Sequence, residues 1–380
     1  MHKVDFIDGD VTFIDDRNLR VDRSGESSIR VKFKNAIIAT GSSPAVLPSS
    51  IEQINIKDTS KILNSTSALE LKDIPKELLV IGGGYIGLEL GQVYAGLGSK
   101  VSVVEFMDQL LPGVDADLVR PLANKMKSIC HEIMIESKVR SIEEKNNRLH
   151  VSIQTKDNQT ITKVFDKILV SIGRTPNTAT LNLDKAGIKL EKGGFIAVNE
   201  YCQTSAKRIY AIGDVVASRP MLAHKAMREG HVVAQKIAGF NSSFDNVAIP
   251  CVVYTDPEIA WCGVTEKEAN QLGLKFEITK MPWGASGRAL SVAASSGLTK
   301  ILYEKESKAI LGCGIVGVNS GELIGQVVVA MEMGACIEDL ANSILPHPTL
   351  SESIMESAQS AFTKHLKATS KLSSPTLVNK

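Results

Sequence analysis

The sequence predicts an α/β protein: two tandem parallel-sheet units, the first of them incomplete, followed by a smaller α+β unit. Three observations predict it. Residues 78–81, Leu-Leu-Val-Ile, form a short apolar strand that runs into GGGYIG at 82–87, a helix-like stretch to Gly98 and a second strand at 101–105. The phrase Ala36-Ile37-Ile38-Ala39-Thr40-Gly41-Ser42-Ser43-Pro44 recurs as a strand at 167–170 leading into Ser171-Ile172-Gly173-Arg174-Thr175-Pro176. From Pro250 onward, strands at 259–262, 276–281, 299–303 and 310–317 mix with helices at 265–272, 322–333 and 337–343, the pattern of an α+β unit with its own core.

The second unit is the better defined. Strand, glycine turn, helix and strand make the Rossmann-like order that holds a dinucleotide. Gly82 makes the tight turn, Gly84 lets backbone approach a pyrophosphate, and Gly87 allows close packing of helix on sheet. The helix N-terminus adds N–H groups and partial positive charge. Glu105, ending the second strand, can accept hydrogen bonds from a ribose 2′-hydroxyl; it would repel a 2′-phosphate, which favours NAD over NADP. The alternation over 139–164, with Asn146-Asn147 and Asp157-Asn158 as turn signals, reads as an antiparallel insertion.

The first unit is read by comparison with the second. Each repeated phrase closes a nucleotide-binding unit, so counting back from Gly41 by the interval between Gly82 and Gly173 passes residue 1. A first glycine fingerprint is therefore expected upstream of the 380 residues, and residues 1–74 read as the tail of a domain. The core of such a tail would show unpaired strand edges, an aggregation hazard. Residues 208–214 form another strand, ending in Gly213-Asp214, where a carboxylate can meet a ribityl or ribose hydroxyl. Met221-Leu222-Ala223-His224 starts a helix through Gln235, and 241–249 reads as a linker.

Composition narrows the partners. The chain is 43% apolar and 22% charged, with 43 Lys plus Arg against 42 Asp plus Glu. That is ordinary globular composition, with neither a basic field for nucleic acid nor an acidic tail. No apolar run reaches the length of a signal peptide core at the N-terminus or of a membrane span elsewhere, so no membrane partner is expected. A cytoplasmic or equally reducing compartment is expected, the mitochondrial matrix in a eukaryote. The six cysteines, Cys130, Cys202, Cys251, Cys262, Cys313 and Cys336, include no C-x-x-C or C-x-x-x-x-C pair. They give no local zinc site or redox disulfide and read as buried or half-buried thiols; no metal is expected.

Against that background His347-Pro348-Thr349-Leu350-Ser351-Glu352 stands out. A histidine with a carboxylate five residues on suits proton transfer. Pro346 and Pro348 bias the backbone around His347 away from helix and towards a fixed loop. Yet no cysteine pair gives that histidine a thiol to act on.

Taken in order, GGGYIGLELG with Glu105, IIATGSSP, SIGRTPN, YAIGD, PMLAHKA, YTDPEIAWCG and HPTLSE closely resemble the flavin-dependent pyridine nucleotide–disulfide oxidoreductases, class I, with the dihydrolipoamide dehydrogenase branch nearest. The resemblance covers about residues 3–365 and is far more specific than any single motif.

The resemblance implies FAD and NAD as cofactors. Gly82, Gly83, Gly84, Tyr85, Ile86, Gly87 and Glu105 would hold NAD, with Val139, Ser171, Ile172, Gly173 and Arg174 completing that pocket. Thr40, Gly41, Asp214, Met221, Leu222, Ala223 and His224 would meet FAD. His347, oriented by Glu352, would exchange a proton with a dihydrolipoyl thiol in the active site of the opposite subunit of a homodimer, and the lipoyl domains of 2-oxoacid dehydrogenase complexes would be the partners. The implied division is residues 1–74 with 198–247 for FAD, 75–197 for NAD, 248–367 for the subunit interface, and a mobile tail at 368–380. The family also begins with a glycine fingerprint for the ADP half of FAD and a C-x-x-x-x-C pair followed by a lysine. These 380 residues hold none of them, and Glu89, which would pair with that lysine, is expected to stay unpartnered. The chain is therefore expected to be a C-terminal portion, inactive alone. A disulfide reductase of glutathione or mercuric type, and a non-catalytic NAD-binding or dimerising subunit, are the alternatives.

Overall fold

The computed structural model describes residues 4–369, with side chains described through Phe362. It contains two compact units: Met1–Ala45 with Gly173–Asn246, and Val46–Ile172 with Val247–Lys380. The α-helices, in chain order, are α1 (Tyr85–Gly96), α2 (Ala116–Ile129), α3 (Ala223–Ile237), α4 (Glu266–Gln271), α5 (Gly287–Ser291), α6 (Ser320–Glu332), α7 (Ile337–Asn342) and α8 (Glu352–Thr369).

The larger unit is built on two main sheets. The first is wholly parallel, with strands in the order Glu132–Met134, Lys100–Val104, Glu77–Ile81, Lys167–Val170 and Ile62–Leu63. Leu78, Leu79 and Val80 are completely buried, as a strand covered on both faces must be. The insertion forms as expected: Lys138–Lys145, Arg148–Gln154 and Thr160–Phe165 pair antiparallel, and Asn146 and Asn147 turn the first hairpin with φ of +49° and +60°.

The second main sheet is antiparallel, in the order Cys251–Val253, Glu258–Gly263, Ile310–Gly317, Leu298–Glu304 and Phe276–Pro282. Helix α6 packs on its central strands, and α8 on the last two. The expected α+β unit is thus present, but it does not stand alone. Leu118 of α2 shares one core with Val253, Ile259 and Val316 of this sheet. Beside that core the Lys300 ammonium, its side chain fully buried, lies 2.7 Å from Asp115, 2.8 Å from Asp117 and 2.6 Å from Glu266. Burial pushes that ammonium's pKa down, yet hydrogen bonds to the three carboxylates outweigh it and the net shift is upward. These carboxylates lie close enough together to suggest a metal site, but the lysine fills the space among them.

The smaller unit has a three-stranded antiparallel sheet (Asp10–Phe13, Asn18–Asp22, Ile29–Lys32). Two short pairings complete it: Ala36–Ile38 lies parallel to Ile209–Ala211, and Ser42–Pro44 antiparallel to Arg174–Pro176. Ile37 is 45% exposed and Phe6 87% exposed.

The units divide the chain differently from the boundaries expected at 74 and 197. Residues 46–74 join the larger unit because Gln53–Asn55 pairs with Lys138–Lys145 and Ile62–Leu63 is the fifth parallel strand. Residues 173–197 join the smaller one because Arg174–Pro176 pairs with Ser42–Pro44. Of the tail, residues 368–369 belong to α8, and 370–380 lie outside the described residues.

Candidate active site

The glycine loop is fixed by what surrounds it. Gly82 adopts φ +106°, and a Cβ there would lie 2.5 Å from the Ser171 carbonyl oxygen. A Cβ on Gly87 would meet the Gly82 carbonyl oxygen at 2.1 Å and Ser171 Oγ at 2.5 Å. Ser171 is itself held, its hydroxyl donating to the carbonyls of Ile81 and Gly82. Gly84 is different: it caps α1 with no side-chain bond, and a Cβ there would meet nothing within 4 Å. The chain has left that side of the loop open, at a helix N-terminus, which fits a pyrophosphate.

Glu105 follows the strand Lys100–Val104 and is 6% exposed. The Gly83 N–H donates to its Oε2 at 2.6 Å and the Met107 N–H to its Oε1 at 2.7 Å. The carboxylate thus locks the glycine loop, a role that the sequence pattern does not reveal. Each oxygen keeps a second lone pair with which to accept a ribose hydroxyl. Val139 is buried in the core, at a bulge in its strand between Val139 and Ser141, so its backbone is what it can offer a ligand. Ile172 is 39% exposed at the end of the larger unit. Gly173 and Arg174 belong to the smaller unit, where the Arg174 guanidinium donates to Ser42 Oγ and to the Ser42 carbonyl, both at 2.6 Å.

In the smaller unit the proposed flavin residues are ordered by a network. Asp214 accepts from Ser42 Oγ at 2.5 Å, and Thr40 Oγ1 donates to the Asn177 carbonyl. Gly41 turns at φ +68°, its carbonyl accepting from the Asn177 N–H. Met221 and Leu222 are half-buried, whereas Ala223 and His224 lie exposed at the start of α3. The turn before Asp214 is pinned by groups that sequence reasoning missed. Lys225 donates to the Gly213 carbonyl at 2.8 Å, and the Gly213 N–H donates to Glu229 at 2.7 Å. Arg219 completes the set at 2.8 Å from Glu229, stacked over Phe244. The spacing of Lys225 and Glu229, one helical turn, is the available signal. These residues fit the ribityl and ring portions of a flavin. No second glycine-rich strand-to-helix turn is present among the described residues to cradle its ADP half.

His347 and Glu352 come together as expected. Nδ1 of His347 lies 2.9 Å from Glu352 Oε1, and the ring is 80% exposed while the carboxylate is 14% exposed. The other oxygen accepts the Thr349 N–H at 2.7 Å. The Glu352 carboxylate, at the start of α8, thus holds the Thr349 backbone and orients the imidazole at once. The Thr349 bond first, then His347, holds the Glu352 carboxyl below its ordinary range. With Nδ1–H donated to Glu352, the neutral ring presents Nε2 outward as a proton acceptor.

Glu89 is not unpartnered: its Oε1 accepts the Tyr254 N–H at 2.8 Å. Burial nevertheless pushes its carboxyl up. The cysteines are free thiols, four buried and two half-buried. Pairing of Glu258–Gly263 with Ile310–Gly317 sets Cys262 opposite Cys313, but burial raises both, Cys262 to about 12. Burial also raises Cys130 and Cys251 to about 11 each. None is a nucleophile at neutral pH.

Residues 2–230 match the pyridine nucleotide-disulphide oxidoreductase family, and residues 249–358 match that family's dimerisation domain. The chain belongs to the class I pyridine nucleotide–disulphide oxidoreductases, flavoproteins that use FAD and NAD(H) and form homodimers through the second region. Within the family it is similar to proteins named dihydrolipoyl dehydrogenase. The one from Haemophilus influenzae is 46% identical over 353 residues, 93% of this chain and 72% of that protein. The one from Vibrio parahaemolyticus is 44% identical over 354 residues, 93% of this chain and 73% of that protein. Among solved structures, the HOCl-induced flavoprotein disulfide reductase RclA from Escherichia coli superposes with TM-score 0.82 at 28% identity, covering 93% of this chain and 79% of that one. LpdA from Mycobacterium tuberculosis gives TM-score 0.80 at 27% identity, covering 93% and 75%. Among the described residues, no helix is long and apolar enough to cross a membrane.

Proposed function

We propose that this chain carries the NAD-binding and proton-exchanging parts of a dihydrolipoyl dehydrogenase, which oxidises protein-bound dihydrolipoamide with NAD as the final acceptor. Residues 75–172 hold NAD, Thr40, Gly41, Asp214 and 221–224 meet the flavin, and 248–367 form the subunit interface. The enzyme serves lipoyl domains of 2-oxoacid dehydrogenase complexes in the cytoplasm or a comparable reducing compartment. The observation that carries this reading is the imidazole of His347, exposed for a thiol and held at Nδ1 by Glu352.

The residues divide the work. Gly84 and the start of α1 bind the pyrophosphate, and Glu105 orients the ribose while its charge excludes a 2′-phosphate. When bound, the flavin and the nicotinamide supply hydride transfer. His347 accepts the proton of a dihydrolipoyl thiol at Nε2, making the thiolate that is the reactive form, and Glu352 stabilises the imidazolium. Glu105 speaks against a glutathione reductase, whose nucleotide is NADP.

A dithiol relay is not formed by the six cysteines of these 380 residues. By themselves they should bind NADH and leave lipoamide unreduced. The test is NAD reduction by dihydrolipoamide with FAD added, first with this chain alone and then with a polypeptide supplying a C-x-x-x-x-C segment. Turnover in the second assay that falls at least ~100-fold in His347→Gln is the expected result. Turnover that ignores His347, or that prefers glutathione and NADP, would overturn the proposal.

A further inference from the structure

Glu356 lies four residues beyond Glu352 on α8, so the two side chains are neighbours on one helix face. Its Oε2 is buried and has no hydrogen-bond partner among the described residues. An ionised oxygen in that position would be without a donor and next to a carboxylate already committed to its charge by Thr349 and His347.

We propose that Glu356 is a second acid of this loop, which keeps its proton while Glu352 is ionised. His347 then faces a carboxylate backed by a carboxylic acid one helical turn away, rather than a single isolated counter-ion. Two like groups in one small region separate into an ionised member and a protonated one. Burial first, then the charge of Glu352, raises the Glu356 carboxyl, while His347 opposes the shift.

Charges from the neighbouring elements do not supply another explanation. On α7, Asp339 accepts the Cys336 N–H, and the Cys336 thiol lies against Glu338. On Phe276–Pro282, Glu277 accepts the Tyr303 hydroxyl, and Lys280 reaches Asp117. On Leu298–Glu304, Lys300 lies among its three carboxylates, and Glu304 accepts the N–H groups of Glu306 and Ser307. Among the described residues, Glu352 and His347 are the ionisable groups that act on Glu356.

Functionally, Glu356 is a positioning residue: neutral, it leaves Glu352 as the one charge on the imidazole, and ionised, it adds a second. This rests on His347 being the proton-exchanging group, but the test does not. The chain is labelled with 13C at the glutamate carboxyl carbons and titrated by NMR, with Glu356→Gln and Glu356→Ala assigning the signal by difference. One carboxyl should titrate above the ordinary glutamate range and vanish in both variants. Glu352→Gln should then lower its midpoint by about half a pH unit, ~3-fold in proton affinity, by removing the neighbouring charge. His347→Gln should raise it. An ordinary midpoint for Glu356, or one unmoved by Glu352→Gln, would overturn the inference. Failure of lipoamide turnover would count only against the functional reading above.

Discussion

The glycine loop and the His347 loop sit in the same compact unit and are held by opposite means. Around Gly82 and Gly87 there is no room for a methyl group, and the shape of the site is set by backbone packed against backbone. Around His347 the ring is open to solvent and its aim depends on two hydrogen bonds to one carboxylate. The first site is held in shape by close packing at Gly82 and Gly87, although its Gly84 side is open; the second is available because its ring faces solvent. A cofactor that stays through a turnover suits the former, and a thiol that must come and go suits the latter.

Within the larger unit Lys300 ties the antiparallel sheet to the start of α2, so Lys300→Met should have the largest effect. It leaves Asp115, Asp117 and Glu266 together without the buried ammonium, and should cost about 3–5 kcal/mol in urea unfolding. A variant as stable as the parent would show that the join between α2 and the antiparallel sheet does not depend on this cluster. Next is Gly87→Ala, whose methyl group must displace backbone; about 2–3 kcal/mol of stability should go, and NADH binding with it. Gly84→Ala sharpens the contrast. Its methyl group meets nothing in the chain, so the unfolding midpoint should hold while NADH affinity, read by calorimetry, falls at least ~10-fold.

The His347 loop should answer differently. His347→Gln should change stability by less than about 0.5 kcal/mol, because the ring is exposed, even where it abolishes turnover. The smallest effect concerns pH. Since the Glu352 carboxyl is lowered on folding, its contribution is present above the ordinary carboxylate range and is lost as pH falls through its own lowered one. The unfolding midpoints of the parent and of Glu352→Gln should differ at pH 7, by less than about 1 kcal/mol, and converge in acid. A difference that grew in acid would reverse the assignment.

Much of this was legible in the sequence because the relevant residues are close together in it. GGGYIG and Glu105 lie within one βαβ span, and His347 and Glu352 within one turn of chain. What escaped depends on folding. Helix α2 carries Pro121 inside it, which interrupts a helical reading, yet its N-cap Asp115 and Leu118 tie the parallel sheet to the antiparallel one. Helix α8 buries Ile354, Ala358 and Ala361, small or widely spaced side chains that leave a weak periodic signal. Arg174 sits beside Ser171 in sequence, but the pairing of its strand with Ser42–Pro44 carries it into the other unit. Glu105 as a lock on Gly83 needs the loop at 106–111 to close over it, which no local pattern foretells.

The glycine loop, locked by Glu105, is proposed as an NAD site that refuses the 2′-phosphate. Calorimetric titration of the 380-residue protein with NADH and then NADPH tests it most directly. The expected result is saturable, one-site binding of NADH, at least ~10-fold weaker binding of NADPH, and loss of that preference in Glu105→Gln. Equal affinity for the two nucleotides in the unsubstituted protein, or no binding of either, would contradict it.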